Sequence, residues 1–407
     1  MISNETLTLT VENQQEQFER LPELVRRELL SEIPLSVSHA IIISGIRRCG
    51  KSTLLQQFSK KIKKFHYFNF EDSRIIGFEV SDFNKLDKIF SARDSEIDYY
   101  FFDEIQNIDK WEIYIRSLLD RQKKVYITGS FASLLSRELG TKLTGRNLRY
   151  ELYPFSFAEF LSFKQIRADL SAFEQYFNLG GIPEFLVFPE IKVLQGLVND
   201  ILFRDIIVRH QIRNYEGLQT LTNYLLSNIG KEFSYTKLKS TFGISSVSTI
   251  ISFIAYLEDC YLLFTVSKFD YSLKKQAVNP KKVYAIDSGL IKANTLSFAD
   301  DLGRILENIV FVHLKRSNYK VYYFKMTKEC DFVVADRDKI ITAIQVCYHL
   351  DEENLQRELD GLKEAMIFFN LQNGTILTYN NKDEFVVENK RILVKPVWEW
   401  LLGKSTE

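Results

Sequence analysis

The chain has 407 residues, of which 45% are hydrophobic and 26% charged, so its composition excludes a disordered polymer and its length favours two or three domains. Lysine plus arginine and aspartate plus glutamate each number 53, so the whole-chain charge does not attract a polyanion, and nucleic-acid binding would require a local basic patch. No stretch has the apolar length of a membrane span and residues 1–5 do not resemble a signal peptide, so the sequence predicts no membrane contact.

The cysteine pattern argues against a disulfide framework and against a zinc site. No two cysteines form a CxxC pair, and none has a histidine at zinc-ligand spacing. We therefore expect a reducing, cytoplasmic location. The cysteines are Cys49, Cys260, Cys330 and Cys347.

Residues 14–33 carry apolar side chains broadly at helical spacing, with charged residues between them. This pattern predicts an amphipathic helix packed on the side of the domain that follows. We expect the helix to be scaffold.

A glycine-rich loop follows the apolar run at residues 40–43 and precedes a helix-like stretch at residues 54–58. It fits the pattern G-x-x-x-x-G-K-S, in which glycines let backbone N–H groups turn inward around phosphate oxygens and the next helix adds its positive dipole end. We expect Lys51 to reach the β and γ phosphates and the Ser52 hydroxyl to bind Mg²⁺. The sequence therefore predicts that ATP and Mg²⁺ are cofactors. The predicted binding loop is Gly45, Ile46, Arg47, Arg48, Cys49, Gly50, Lys51, Ser52 and Thr53.

A second strong pattern begins at residue 99, where four bulky apolar residues suit a strand buried on both faces. Two acids, Asp103 and Glu104, end this run, which is the Walker B pattern at the expected distance after the loop. Asp103 is expected to hold Mg²⁺ opposite Ser52, and Glu104 to orient the attacking water and act as general base. Residues 65–70 predict another strand, and the two acids after it either line the site or form a solvated turn.

Residues 125–130 predict a further strand that ends in small polar side chains. Thr128 and Ser130 are therefore candidates for contact with the γ-phosphate or the lytic water. For Ser130 the alternative is a helix cap before residues 134–135.

Two arginines beyond this strand are candidates for a γ-phosphate sensor or for an arginine finger in a neighbouring subunit. Arg146 is the first candidate and Arg137 the second. The alternative for each is a surface arginine paired with Glu138 or Glu151.

Five segments occur together and in order, at residues 45–53, 102–106, 128–130, 145–146 and 152–157. With them the sequence resembles the AAA+-like P-loop ATPases of bacteria and archaea that carry an uncharacterised C-terminal domain. The resemblance covers most of the chain. It implies an α/β P-loop NTPase core with a parallel sheet, placed at residues 1–165, and binding of ATP and Mg²⁺.

The middle of the chain predicts a helical lid or connector at residues 166–230 and resembles a winged helix at residues 231–282. The expected recognition helix, residues 246–258, has no lysine or arginine, whereas the stretch after it has five lysines against the single acid Asp270. That local charge suits phosphate contacts, so DNA and a protein partner both stay open. The lysines are Lys268, Lys274, Lys275, Lys281 and Lys282.

Residues 283–407 resemble a small α/β restriction-endonuclease-like domain. In active members of that fold a helix glutamate, a strand aspartate and an E-x-K pair bind Mg²⁺ and activate water. Glu307 and Asp331 match the first two, but Gln345 and Cys347 stand where the E-x-K pair should be. Glutamine is a poor Mg²⁺ ligand and cysteine supplies no ammonium, so we expect a degenerate nuclease centre.

The leading interpretation is a Mg²⁺-dependent ATP hydrolase that acts as a switch or remodeller, with Glu104, Lys51 and Arg146 as catalytic residues. The alternatives are a DNA-binding protein regulated by ATP, a Mg²⁺-dependent nuclease, and a kinase. Glu104 beside Asp103 favours hydrolysis over transfer. A protein partner or a homo-oligomer stays open.

Overall fold

A computed structural model describes residues 2–20, 25–132, 143, 145–295 and 301–403. The chain forms two compact units, Met1–Tyr153 with Asp259–Tyr261 and Pro154–Glu258 with Leu262–Glu407. Arg137, Glu138 and the helix expected around residues 134–135 lie outside the described residues. The predicted domain boundaries stay predictions.

The first unit is built on a parallel five-stranded sheet. Its strands are β1 (Ala40–Ser44), β2 (His66–Asn69), β3 (Tyr99–Asp103), β4 (Lys124–Gly129) and β5 (Asn147–Glu151), and its helices include α1 (Asn4–Glu19), α2 (Lys51–Ser59), α3 (Phe83–Arg93) and α4 (Trp111–Asp120). The strand order is β2–β3–β4–β1–β5, with every neighbouring pair parallel. Strand β1 is buried along its whole length, as its run of isoleucines predicts for a strand covered on both faces. The predicted α/β P-loop sheet is confirmed.

The amphipathic helix expected at residues 14–33 is wrong in its bounds. Helix α1 begins after Ser3, whose side chain accepts a hydrogen bond from the Thr6 N–H, and it ends at Glu19. Only a short 3-10 turn, Glu28–Ser31, follows among the described residues of this region. The sequence has a proline at position 22, and proline disfavours helical backbone in the residue before it.

The second unit begins with helices. They are α5 (Phe157–Lys164), α6 (Leu170–Leu179), α7 (Pro183–Val187) and α8 (Ile191–Asp200), which continues as a π-helix (Ile201–Val208), and then α9 (Tyr215–Leu226). A short strand β6 (Glu232–Phe233) leads into α10 (Tyr235–Phe242) and α11 (Val247–Asp259). The helix expected at residues 246–258 is therefore present as α11.

A small antiparallel sheet follows these helices. Strand β7 (Leu263–Ser267) is joined through helix α12 (Leu273–Val278) to β8 (Lys281–Ala285), and the strand order is β6–β8–β7. Residues 283–287 were expected to form the first strand of the last domain, whereas strand β8 pairs with β6 and β7. Helix α12 was not predicted.

The rest of the second unit carries a six-stranded sheet. Its elements are α13 (Ser288–Asn294), α14 (Leu302–Arg316), β9 (Lys320–Lys325), β10 (Glu329–Asp336), β11 (Lys339–Cys347), α15 (Leu355–Phe368), β12 (Asn373–Thr378), β13 (Asp383–Val387), β14 (Lys390–Pro396) and α16 (Val397–Leu402). The strand order is β13–β14–β12–β11–β10–β9. Strand β13 was missed because it lies at an edge and its residues are mostly exposed.

Within the described parts of the chain, no helix is by itself long and apolar enough to cross a membrane. By length and composition alone, α10 and α11 meet that criterion only when taken together, and they are bent by 104°.

Candidate active site

The glycine loop joins β1 to α2 in a conformation that depends on two glycines. Gly50 has φ 95°, in the left-handed region that favours glycine. A Cβ on Gly45 would lie 2.1 Å from the Leu152 carbonyl oxygen, so no side chain fits there. The buried Arg27 donates hydrogen bonds to the carbonyls of Cys49 (2.7 Å) and Tyr153 (2.6 Å) and so supports the loop from behind.

Lys51 lies buried at the start of α2, with its ammonium inside the loop. Its Nζ donates to the carbonyls of Gly45 (3.0 Å) and Ile46 (3.2 Å) and to Ser130 Oγ (2.9 Å). Burial by itself is the largest influence and lowers the pKa of Lys51, but Glu104, Cys49 and Asp103 together raise it more, so the net pKa is above the ordinary value. The loop therefore presents a fixed positive charge, which is what phosphate binding requires.

Asp103 is buried at the end of β3 and accepts three hydroxyl hydrogen bonds. The Oδ2 atom accepts from Ser52 Oγ at 2.5 Å and from Tyr67 OH at 3.1 Å, and Oδ1 accepts from the Thr128 hydroxyl. Burial, with the adjacent Glu104 charge, raises the pKa of Asp103. The predicted neighbours Ser52 and Asp103 are thus in direct contact.

This pair fits Mg²⁺ as a partial protein site. A hydroxyl and a carboxylate are hard oxygen donors, and Mg²⁺ in phosphate-binding proteins commonly takes few protein ligands, with phosphates and waters completing the shell. Among the described residues no cluster of three acidic, histidine or cysteine side chains could hold a metal by itself. A cavity of about 370 Å³ adjoins the pair, lined in part by Ser52, Asp103 and Tyr67.

Glu104 has left-handed backbone, with φ 53°, and its carboxylate is held from three sides. Gln106 Nε2 donates to Oε2 at 2.5 Å, Ser130 Oγ lies 3.0 and 3.1 Å from the two carboxylate oxygens, and Lys51 Nζ lies 3.4 Å from Oε1. Burial is the largest influence and raises the pKa of Glu104, but the charges of Lys51 and Arg47 and the hydrogen bonds from Gln106 and Ser130 together lower it more, so the net pKa lies below the ordinary value. An ionised carboxylate is therefore fixed beside the loop.

Arg146 lies near the opposite ends of the parallel strands. Its carbonyl accepts a hydrogen bond from the Ala40 N–H at 3.1 Å, at the first residue of β1, whereas the glycine loop follows the last residue of β1. These ends are separated by roughly 13 Å, at about 3.3 Å per residue. The Arg146 guanidinium pairs with the Asp120 carboxylate at 2.9 Å. The structure does not bring Arg146 to the loop of its own chain, and an arginine finger towards a neighbouring subunit stays a prediction.

The two acids after β2 lie near the loop but are already paired. Glu71 accepts from Arg47 Nη1 at 2.8 Å, and Asp72 pairs with Arg74 at 2.6 Å and accepts from Gln14 Nε2 at 2.9 Å. Both line the cavity beside the Ser52–Asp103 pair, as the first of the two interpretations expected.

Sequence reasoning missed three residues that support this site, namely Arg27, Tyr67 and Gln106. Arg27 and Tyr67 reach the site because the fold brings distant segments together. Gln106 lies in the turn after β3, and its side chain reaches back to Glu104. Only Gln106 carried a usable signal, because an amide two residues after the acid pair can reach back to Glu104.

Comparison with known proteins agrees with this geometry. A family model described as an AAA domain matches residues 37–161, which contain the loop and both acids. The chain belongs to the AAA+-like family of P-loop ATPases. A second model, a domain of unknown function (DUF8612), matches residues 170–301 of this AAA+-like protein.

Relatives of this AAA+-like chain occur in archaea and bacteria. An uncharacterized protein of Methanocaldococcus jannaschii is 35% identical over 404 residues, covering 91% of this chain and 90% of that protein, so the two belong to one family. An uncharacterized protein of Haemophilus influenzae is 29% identical over 352 residues, covering 80% of this chain and 88% of that protein.

Solved structures resemble the AAA+-like chain at low identity. AMPPCP-bound DnaA of Aquifex aeolicus is 16% identical with a TM-score of 0.29, covering 63% of this chain and 89% of that chain. ORC1 of Aeropyrum pernix in complex with DNA is 10% identical with a TM-score of 0.29, covering 69% of this chain and 91% of that chain. Cdc6p of Pyrobaculum aerophilum is 13% identical with a TM-score of 0.25, covering 76% and 98%. These low scores say nothing about ligands or partners.

The second unit of the AAA+-like chain contains a buried charge cluster around Lys282. Its Nζ lies 2.8 Å from Glu329, 3.1 Å from Glu307 and 3.2 Å from Asp331. Burial raises the pKa of Glu307 to about 7, although Lys282 opposes the shift. Lys282 is only 2% exposed, so it is not available to a phosphate at the surface, contrary to the expectation for the five lysines.

The predicted nuclease positions are partly assembled in this cluster. Gln345 accepts from the Asp331 N–H at 3.2 Å and donates to Glu358 at 2.7 Å, so Gln345, Glu307 and Asp331 lie in one network. Cys347 instead belongs to the apolar core under α15. The sequence missed Lys282 as the cation of this network.

Proposed function

We propose that the protein binds ATP with Mg²⁺ and hydrolyses it, and that this cycle makes it a molecular switch or remodeller. The observation that carries the proposal is the ionised Glu104 carboxylate held beside Lys51 at the glycine loop. A carboxylate base beside Asp103 is placed to take a proton from water at the loop, and on this ground we favour hydrolysis over transfer. We place its action in the cytoplasm, which agrees with four buried cysteines that form no disulfide.

The loop residues have separate tasks in this proposal. The loop N–H groups and Lys51 bind the β and γ phosphates, and Ser52 with Asp103 would hold Mg²⁺. When bound, Mg²⁺ supplies positive charge that offsets the charge of the phosphates. Lys51 and Ser130 exchange their present hydrogen bonds for the γ-phosphate, which releases Glu104 towards the water.

Glu104 then takes a proton from the attacking water. The water oxygen bonds to the γ-phosphorus, and the bond to the β–γ bridging oxygen breaks to give ADP and inorganic phosphate. The proton rests on Glu104 until it returns to solvent. A neighbouring subunit or protein partner would complete the site if it supplies the arginine finger.

The test is steady-state phosphate release from ATP and Mg²⁺ by wild type and Glu104→Gln. We expect the variant to lose about 10²–10⁴-fold in kcat while still binding nucleotide, because its amide cannot accept the proton. Glu96→Gln is the matched control, since Glu96 is an exposed acid of the same unit outside the loop. Equal rates for wild type and Glu104→Gln would contradict the assignment.

A second candidate function is DNA binding regulated by ATP. The succession α9, β6, α10, α11, β7 and β8, with sheet order β6–β8–β7, supports a winged helix at this point of the chain. Salt-dependent binding to duplex DNA is the measurement that tests it. A Mg²⁺-dependent nuclease is less well supported, because Lys282 already pairs with Glu307 and Asp331.

A further inference from the structure

The connection between β7 and β8 is long for a hairpin. It spans residues 268–280, which we call the wing and all of which the structure describes, whereas hairpin loops usually have about 2–5 residues. Its first residues are fixed to strand β9, because the Phe269 N–H donates to the Tyr323 carbonyl at 2.8 Å. The wing is therefore an ordered extension of the small sheet.

The helix inside the wing, α12, buries none of its residues. Leu273 is 79% exposed and Val278 74%, although a short helix is normally stabilised by packing an apolar face. Hydrogen bonds between residues close in sequence stabilise this helix instead. Asp270 Oδ1 accepts from the Ser272 N–H at 2.8 Å, and Gln276 Nε2 donates to the Asp270 carbonyl at 2.6 Å. The fold thus holds apolar side chains outward at a fixed place.

An aromatic ring lies beside these apolar side chains. Tyr271 is 78% exposed, yet its ring centroid lies 5.2 Å from Phe269 and 6.0 Å from Phe368. These neighbours support one side of the ring and leave most of it open. A supported but exposed aromatic ring is a common anchor in binding surfaces.

The charge of the wing is positive. Lys274 and Lys275 are exposed and directly follow Leu273 in sequence, and the only acid of the wing is Asp270. The Lys275 ammonium is 3.8 Å from Asp270, and the lysine side chain is 68% exposed, so this ion pair is weak. Lys281, at the base of the wing, is turned inward to Ser267 at 2.8 Å. Two exposed lysines therefore remain beside the apolar residues.

We propose that the wing is a docking surface for duplex DNA, with Lys274 and Lys275 on phosphates and with Tyr271 and Leu273 against the sugars and base edges of the minor groove. Complementary charge supports a polyanion as the partner, and the neighbouring ring and aliphatic side chain match the apolar walls of a groove. This proposal rests on the second candidate function above and is independent of ATP hydrolysis. It assigns recognition to the wing instead of to α11, which has no lysine or arginine.

The test is binding of the full chain to a fluorescent DNA duplex of mixed sequence, measured from about 50 to 200 mM salt. Replacing Lys274 or Lys275 by alanine should weaken binding and reduce the slope of log affinity against log salt by about one each. Tyr271→Ala and Leu273→Ala should weaken binding about fivefold or more with the slope unchanged, because they remove apolar contacts. The control variants are Lys88→Ala and Ile76→Ser, both at exposed positions of the first unit.

The outcomes distinguish failure of DNA binding as a whole from failure of its assignment to the wing. If wild type shows no salt-dependent binding, both DNA binding and the wing surface are wrong. If wild type binds and the wing variants bind like Lys88→Ala and Ile76→Ser, only the wing assignment fails. If wild type ignores DNA but binds phosphatidylserine vesicles through the same residues, the surface contacts lipid and the DNA proposal is overturned. Loss of binding in the wing variants alone supports it.

Discussion

At the scale of single residues, the position of the Glu104 carboxylate depends on Gln106. The Gln106 amide donates to Glu104 at 2.5 Å, and it packs against Gly129, where an added Cβ would lie 2.6 Å from Gln106 Oε1. Glycine is therefore required at position 129, because the Gln106 side chain lies too close for a Cβ. Gln106 acts through Glu104 and is a positioning residue.

Gln106→Ala should lower kcat about 10-fold or more with little change in KM, because a hydrogen bond to a charged group contributes roughly 1.5–3 kcal/mol. The loss of this donor also raises the pKa of Glu104, so the acid limb of the pH–rate profile should move to higher pH. Gly129→Ala should produce the same two effects by displacing the Gln106 side chain. A reduced rate with an unmoved acid limb would show that Gln106 only supports the fold.

The sequence predicted the residues that belong to a local motif and missed those brought in by packing. Lys51, Ser52, Asp103, Glu104 and Ser130 do lie together, since each follows a strand of one parallel sheet. Arg27 and Tyr67 approach from segments whose position depends on the whole unit. The same limit applies to Lys282, whose role as a buried cation depends on acids far along the chain.

At the scale of elements, helix α13 begins at a buried carboxylate. Asp287 accepts from the Leu290 N–H at 3.1 Å as the helix cap and from the Gly181 N–H at 2.6 Å, which ties the turn before α7 to α13. A Cβ on Gly180 would lie 2.2 Å from this carboxylate. Burial raises the pKa of Asp287 to about 6, and the backbone hydrogen bonds only partly oppose the shift.

This shift predicts a pH dependence of stability. Between about pH 4 and 6 the folded state keeps a proton on Asp287 that the unfolded state has lost, so the contribution of Asp287 to stability is largest below pH 4 and falls as pH rises to 6. A difference of about two pKa units corresponds to on the order of 3 kcal/mol. Chemical denaturation across this range measures the contribution as the difference between wild type and a variant that lacks the Asp287 carboxylate.

Asp287→Asn should lose this contribution, because the amide does not titrate, so the change in its stability from pH 4 to 6 should be more positive than the change in wild type. The matched control is Asp169→Asn, at the exposed cap of α6, which should keep the wild-type slope. If the slope of stability against pH is the same in Asp287→Asn as in wild type, the assignment to Asp287 is wrong.

Element prediction from sequence worked where burial leaves a periodic pattern. Strand β3 and helix α11 carry long apolar runs or helical spacing, and both were predicted. Helix α12 was missed because it has no buried face, so it carries no periodicity that burial would select. Its exposed apolar residues, Leu273 and Val278, indicate a binding surface instead of a core-facing helix.

At the scale of the whole molecule, the chain contains two units with separate cores. The glycine loop and both acids belong to the first unit, whereas the Lys282 cluster belongs to the second. Two or three domains were expected from length alone. The order of the motifs predicted that the first unit is a P-loop domain. In the second unit, attention to Gln345 and Cys347 did not predict that Lys282 pairs with the buried acids.

Calorimetry should separate the two units. A non-hydrolysable ATP analogue with Mg²⁺, at about 100 times its Kd, should stabilise the first unit by about 2.7 kcal/mol and leave the second unit's transition in place. Lys282→Met should destabilise the second unit by about 3–5 kcal/mol, because three carboxylates lose their buried partner.

The control is Lys382→Met, which breaks an exposed pair with Glu399 and should cost at most about 1 kcal/mol. If the analogue and Lys282→Met shift one shared transition, the two units unfold together and this account of the molecule is wrong.

The central claim is hydrolysis of bound ATP by Glu104, and a single-turnover experiment tests it most directly. Excess protein is mixed with labelled ATP and Mg²⁺, and the protein-bound nucleotide is identified over time. Wild type should convert bound ATP to ADP and phosphate, while Glu104→Gln should keep ATP bound and intact. Bound ATP that stays intact on wild type, or ADP formed equally fast on Glu104→Gln, would contradict the claim.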